Sequence, residues 1–180
     1  MGGYFFVLGF AFMFVEMAFI QKLILFLSHP LYSVAVVLSG FLVFAGLGSS
    51  YSKRLMQRFD DGKYSSVTIA VATISGITLI YVLLLPALFA RFVGQPDILK
   101  VGLTLFLIAP LAFCMGMPFP IGLSKLAEES ADFIPWAWGL NGFASVVSVS
   151  LATLLAIEFG FTAVVLLALG LYVSAAALIR

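Results

Sequence analysis

Nine basic and eight acidic side chains are spread over 180 residues, and Glu16 falls near the middle of a long apolar run. A carboxylate in hydrocarbon is expensive and is as a rule functional or paired. Two readings follow: a proton or cation site, or a neutral acid hydrogen-bonded to a neighbouring helix. No second acid in an apolar run could complete a relay with it. Gln21 lies further along the same run and Asn141 lies in a later one, and with Glu16 they form the candidate intramembrane polar site. Six residues separate Glu16 from Lys22, about 9 Å of rise and roughly 240° of rotation on a helix, so the two cannot face each other. Lys22 is expected to snorkel to the interface.

The remaining reactive types are sparse. His29 is the single histidine and lies in the break Ser28-His29-Pro30. One histidine cannot supply both axial ligands of a haem. It reads as a solvated loop residue, or as a lone ligand or proton site. Cys114 is the single cysteine, so no intrachain disulfide exists, and its apolar surroundings point to packing. No Ser/His/Asp set, zinc spacing, Walker loop or GxGxxG occurs. The expectation is a non-enzyme without cofactor or metal. The net charge of +1 gives no sign of a nucleic-acid partner.

The elements that must position these residues are apolar helices. Hydrophobic residues make up 63% of the chain, against roughly 45–50% in soluble domains. Residues 23–52, 64–90, 101–124, 133–157 and 159–179 contain no Asp, Glu, Lys or Arg. A spanning helix needs about 20 apolar residues. The expected fold is therefore an all-α polytopic membrane helix bundle, a single domain over 1–180. Six transmembrane helices are expected at about 4–27, 31–50, 66–90, 98–117, 138–157 and 161–179. Proline at 30 and the run Met117-Pro118-Phe119-Pro120 should end helices, and Pro86 and Pro110 should kink them. The N-terminus lacks a basic region ahead of its apolar run and is not read as a cleavable signal. Phe6 stands where a myristoylation motif needs Ser or Thr.

Positive residues set orientation. Lys53, Arg54, Arg58 and Lys63 follow the second expected span, Lys125 follows the fourth and Arg180 ends the chain, whereas Arg91 and Lys100 fall on the opposite side. This places both termini in the cytoplasm, in a membrane of the bacterial inner type. Residues 51–64 read either as a solvated loop or as an interfacial segment holding Lys53, Arg54 and Arg58 near anionic headgroups. Trp136 and Trp138 are expected interface anchors.

Small residues mark close helix contacts in lipid. Ala144, Ser148, Ala152 and Ala156 recur every fourth residue, which makes the fifth helix the expected most buried one. Gly40 and Gly46, with Gly48, mark the second helix, and Gly170 with Ser174 the sixth. Phe5, Phe6, Phe10, Phe12 and Phe14 surround the first helix and are expected to face lipid or a partner.

Four stretches carry a resemblance: residues 9–30 (GFAFMFVEMAFIQKLILFLSHP), 39–50 (SGFLVFAGLGSS), 116–123 (GMPFPIGL) and 135–146 (PWAWGLNGFASV). In this order they resemble the C-terminal membrane region of spermidine synthase-like membrane proteins. In that family an aminopropyltransferase-like domain is fused to a major-facilitator-like helical region. The resemblance implies a fold like half of a major facilitator. It also implies that Glu16, Gln21, His29, Pro118, Pro120, Trp136, Trp138 and Asn141 belong to a family pattern. The chain contains no transferase-like domain, so aminopropyl transfer is not implied for it.

The leading functional expectation is a non-catalytic integral membrane subunit. It would pack in the lipid bilayer against other integral membrane proteins or a second copy of itself. A half-size major-facilitator-like transporter acting as a dimer is the alternative. A membrane anchor for a separate soluble transferase-like subunit follows from the resemblance alone.

Overall fold

The computed structural model describes residues 1–59 and 65–179. Six α-helices and one short 3-10 turn account for nearly all of them, in the order α1 (Gly2–Leu27), α2 (Pro30–Phe59), α3 (Ser66–Phe92), α4 (Asp97–Met115), α5 (Pro118–Ser130), the turn Ala131–Phe133 and α6 (Ile134–Leu178). Among the described residues there is no strand. The fold is all-α. Four stretches are long and apolar enough to cross a membrane: Gly2–Leu27, Pro30–Phe59, Ser66–Phe92 and the 82-residue stretch Asp97–Leu178, which contains α4, α5 and α6.

Helix α1 is the axis of the bundle. It packs along α6 over most of its length and also meets α2, α4 and α5. Its sequence has no polar face, and a helix that is apolar all round belongs inside. The girdle of phenylalanines expected to face lipid or a partner is thus partly internal: Phe5 and Phe14 are buried and Phe12 is half-buried. Phe19 is a hub, with ring centroids 5.7 Å from Phe41 on α2, 6.2 Å from Tyr81 on α3 and 5.6 Å from Phe161 on α6. A left-handed Ser28 (φ 62°) caps α1, its N–H donating to the Ile24 carbonyl, before Pro30 opens α2.

Three boundaries differ from the expected spans. Helix α2 does not stop at residue 50 but runs on to Phe59. No proline or glycine interrupts residues 49–59, and Leu55 and Met56 pack on the core while Lys53, Arg54 and Arg58 stay exposed. The basic segment is therefore helical as far as residue 59; Lys63 lies outside the described residues, as does Arg180. Helix α4 ends at Met115, and α5 follows as an additional 13-residue helix. Proline starts α5 in its first turn, where a missing donor has no intrahelical acceptor to leave unpaired. At this length α5 is too short to span a bilayer.

The expected fifth and sixth helices are the two arms of α6. The helix starts earlier than residue 138, at Ile134, and its only non-helical backbone is at Gly160 (φ 79°, ψ 173°). This conformation is essentially confined to glycine. The arms run in opposite senses along α1. On the first arm Asn141 lies beside Phe5 and Thr153 beside Gln21. On the second, Phe161 lies beside Phe19, and Leu178 lies near Gly3.

The first arm is not the most buried helix. Ala144, Ser148 and Ala152 are fully buried against α1, but Ala156 is half-buried and the opposite face, with Gly139, Gly142, Phe143 and Val146, is exposed. In the most apolar window of α1, 61% is buried, against 17% for the stretch holding α6.

The second tight crossing joins α2 and α4. A Cβ on Gly48 would collide with the Phe113 carbonyl, and one on Gly116 with the Ala45 carbonyl, so the two backbones touch reciprocally. A Cβ on Gly40 would come within 3.1 Å of the Leu105 side chain and 3.4 Å of Ile108, a tight fit against side chains rather than backbone. Gly46 and Gly170, expected at contacts, are exposed with open space around them; Gly48 makes the crossing instead. Ser174 is half-buried and returns its hydroxyl to the Leu171 carbonyl at 2.8 Å.

Candidate functional site

The three polar residues of the apolar runs do not converge on one point. Asn141 donates its Nδ2 to the Phe5 carbonyl at 3.0 Å. Gln21 donates its Nε2 to the Thr153 carbonyl at 3.4 Å. Both join α1 to the first arm of α6, one towards each end of the interface. Phe5 and Gln21 are 16 residues apart, about 24 Å of helix rise. Gly9 lets Asn141 and Ala144 approach, since a side chain there would strike the Asn141 carbonyl.

Glu16 lies between these two bonds. It is only 3% exposed, and no hydrogen bond or ion pair to it is formed by the described residues. Of the two readings of Glu16, the one that needs a hydrogen bond to another helix finds no such bond here. Ser148, fully buried on the first arm, directs its own hydroxyl to the Ser145 carbonyl at 2.8 Å.

One turn before Glu16 on α1 a cavity of about 250 Å³ opens. Gly9, Phe12 and Met13 wall it on one side, Met115 and Phe119 at the α4–α5 junction on another, and Asn141, Ser145 and Tyr172 of α6 on the third. Tyr172 is 1% exposed and its hydroxyl has no hydrogen-bond partner among the described residues. The Ser145 hydroxyl donates to the Asn141 carbonyl at 2.8 Å. Asn141 Nδ2 gives one of its two N–H groups to Phe5, so the polar groups at the wall can both donate and accept.

A larger cavity of about 510 Å³ lies at the start of α1 and α6, beneath Phe133, Trp136 and Glu129. Trp136 and Trp138 are both exposed at this end, and Trp138 meets Phe119 edge-on at 4.7 Å. Lys53, Arg54 and Arg58 are exposed on the last turns of α2. Lys125 of α5 donates to the Ser65 hydroxyl at 3.2 Å, tying α5 to the start of α3. At the other end Lys22 lies 5.9 Å from the Phe161 ring centre, and Phe26 stacks on Phe89 at 4.5 Å.

The tyrosines are the site residues that the sequence reading missed. Tyr4 donates to the Pro118 carbonyl at 2.5 Å and Tyr81 to the Leu107 carbonyl at 2.6 Å, each joining two helices. For Tyr81, a tyrosine well inside an apolar run, away from the interfacial belt where the residue is usual, is the available signal; Tyr4, in the first turn of α1, offers none. His29 is exposed, and Cys114 is half-buried against the core. Among the described residues no group of three His, Cys, Asp or Glu side chains could hold a metal ion.

This geometry defines an all-helical protein with four stretches long and apolar enough to cross a membrane, and a mainly apolar cavity against its central helix into which a few polar side chains reach. Comparison with protein-family models, with curated proteins and with solved structures gave no match.

Proposed function

We propose that this chain is a non-catalytic integral membrane subunit, a six-crossing bundle that packs against another membrane protein or a second copy of itself. In this reading α1, α2 and α3 cross once each, and the stretch from α4 to α6 crosses three times, with Gly160 at the last reversal. The basic residues Lys53, Arg54, Arg58 and Lys125 mark the cytoplasmic end, and both termini lie there, in an inner-membrane type of bilayer.

The outward glycines carry the reading. Gly46, Gly76, Gly102, Gly139, Gly142 and Gly170 each have nothing within 4 Å of where a side chain would begin. Lipid tails fill around large side chains as well as small ones. Close approach of another backbone is what small residues permit. The glycines that pack within the chain, Gly9, Gly48 and Gly116, are crowded by backbone.

Mass measurement on protein purified in mild detergent tests association. The expected species is a complex or a dimer, and Gly46→Leu or Gly142→Leu should weaken it without unfolding the bundle. Recovery of the wild type solely as a monomer would refute the subunit reading. Labelling of single cysteines from outside intact cells tests the topology. Positions near 95 should react and positions near 57 should not; equal reaction at both overturns it.

A half-size transporter working as a dimer is the second reading, favoured by the buried, unpartnered Glu16 one helical turn beyond the α1 residues that wall a cavity. A proteoliposome uptake assay separates the two, because a packing subunit moves no solute.

A further inference from the structure

We infer that α2 of one copy packs antiparallel on the first arm of α6 of a second copy, with Gly46 opposite Gly139 and the basic end of α2 against the acidic joint between α5 and α6. This rests on the subunit reading above and narrows it: the partner is the chain itself, and both contact faces are named.

The two faces are open in the single chain. Val43, Gly46 and Ser50 are exposed on α2, and Gly139, Gly142 and Val146 on the first arm of α6. Nothing lies within 4 Å of where a side chain would begin on Gly46, Gly139 or Gly142. Charge then selects the pairing. Residues 53–63 hold four bases and two acids, and residues 125–132 hold three acids and one base. Lys53, Arg54, Glu129 and Asp132 are exposed and form no ion pair among the described residues.

Direction and depth agree with that pairing. Within the chain α2 runs antiparallel to α1, since Ser33 reaches the Leu23 carbonyl while Phe41 lies beside Phe12 and Phe19. The first arm of α6 runs parallel to α1. Two copies inserted in one orientation therefore offer α2 and that arm to each other antiparallel. Lys53 follows Gly46 by seven residues, about 10.5 Å of rise and within roughly 20° of the same face. Asp132 precedes Gly139 by the same number of residues. Gly46 set against Gly139 thus brings Lys53 to Asp132, and Val43 to Gly142 one turn further in. The glycines permit close backbone approach, and the exposed charges fix partner and register more than they add affinity.

The other open glycines lack such a match. Arg91 is the only charged residue of α3 and lies about four turns from Gly76. Near Gly102, Lys100 is already engaged with Asp97 at 3.7 Å. Residues 161–178, which include Gly170, carry no charge.

Disulfide trapping between two tagged copies of the full chain tests the pairing. Both copies carry Cys114→Ser; one adds Val43→Cys and the other Gly142→Cys, and membranes holding both are oxidised. The cross-linked pair should form at least fivefold more than when Gly76→Cys replaces Val43→Cys. Lys53→Glu with Arg54→Glu in the first copy should cut the yield at least fivefold. Adding Glu129→Lys with Asp132→Lys to the second copy should restore at least half of it. Labelling near residue 95 verifies that the reversed copies keep their orientation; where they do not, Lys53→Gln with Arg54→Gln should still cut the yield at least threefold. A cross-link no stronger than the Gly76→Cys control overturns the inference, as does a yield indifferent to these charge changes. If the wild type is nonetheless recovered in a complex, the subunit reading survives and this pairing alone falls. A wild type recovered solely as a monomer removes both.

Discussion

Two interfaces hold this bundle together by different means. Between α1 and α6, Ala144, Ser148 and Ala152 bring the helices close, and side chains then bond to backbone carbonyls, Asn141 to Phe5 and Gln21 to Thr153. Between α2 and α4, glycine meets carbonyl: Gly48 against Phe113 and Gly116 against Ala45. The first interface is long and spreads its support over several contacts, with one glycine, Gly9, that admits no side chain against the Asn141 carbonyl. The second concentrates its closest approach on two residues that admit no side chain. If the bundle sits in lipid, as proposed above, no hydrophobic driving force acts between its helices, and both designs rely on packing and on short polar contacts. They differ in how sharply a single substitution should be felt.

The glycine crossing should give the largest effect. Gly48→Ala and Gly116→Ala each push a methyl group into a backbone carbonyl, and overpacking of this kind costs about 1–3 kcal/mol or more. Gly46→Ala is the matched control, two residues away and in open space. It should be neutral, or stabilising by up to about 1 kcal/mol through helix propensity. Reversible unfolding in mixed micelles measures all three. Equal stability of the Gly46 and Gly48 variants would remove the distinction between the two interfaces.

Next in size is the reversal that lets α6 flank α1 twice. Gly160→Ala forces a side chain into φ 79°, ψ 173°, a conformation costing about 1–3 kcal/mol for a residue other than glycine. Gly170→Ala, in regular helix with open space, should show no loss. Because Gly160 positions the second arm, the same variant should also weaken the Tyr172 wall of the cavity.

The sequence made the apolar helices legible, since length and the spacing of charges report directly on what lipid must cover. Breaks at Ser28–Pro30 and near Gly160 were legible for the same reason. The extension of α2 to Phe59 was not, because Lys53, Arg54 and Arg58 look like loop residues until Leu55 and Met56 are seen to pack. Nor was the choice between Gly46 and Gly48. Two residues rotate a helix by about 200°, so one faces a neighbour and the other faces away, and only the neighbour's position decides which. Glu16 was visible as a lone acid, but Tyr172 was not visible as part of the cavity wall one turn away. A tyrosine among leucines and alanines reads as core filling, and Tyr172 comes to the cavity only when α6 folds back.

The smallest expected effects belong to the two polar bonds of the long interface, and they should be unequal. Interhelical hydrogen bonds of membrane proteins contribute about 0.6 kcal/mol on average and up to about 1.7. Asn141 bonds Phe5 at 3.0 Å, within the usual range for N–H···O, whereas Gln21 reaches Thr153 at 3.4 Å, beyond it. Asn141→Ala should therefore cost about 1–1.5 kcal/mol, and Gln21→Ala about 0.5 or less. Substituting both should give close to the sum, because they lie about 24 Å apart along α1 and share no partner. A double variant much less stable than that sum would mean that the interface opens as one unit. The contrast with the glycine crossing would then be one of strength alone, and no longer one between distributed and concentrated support.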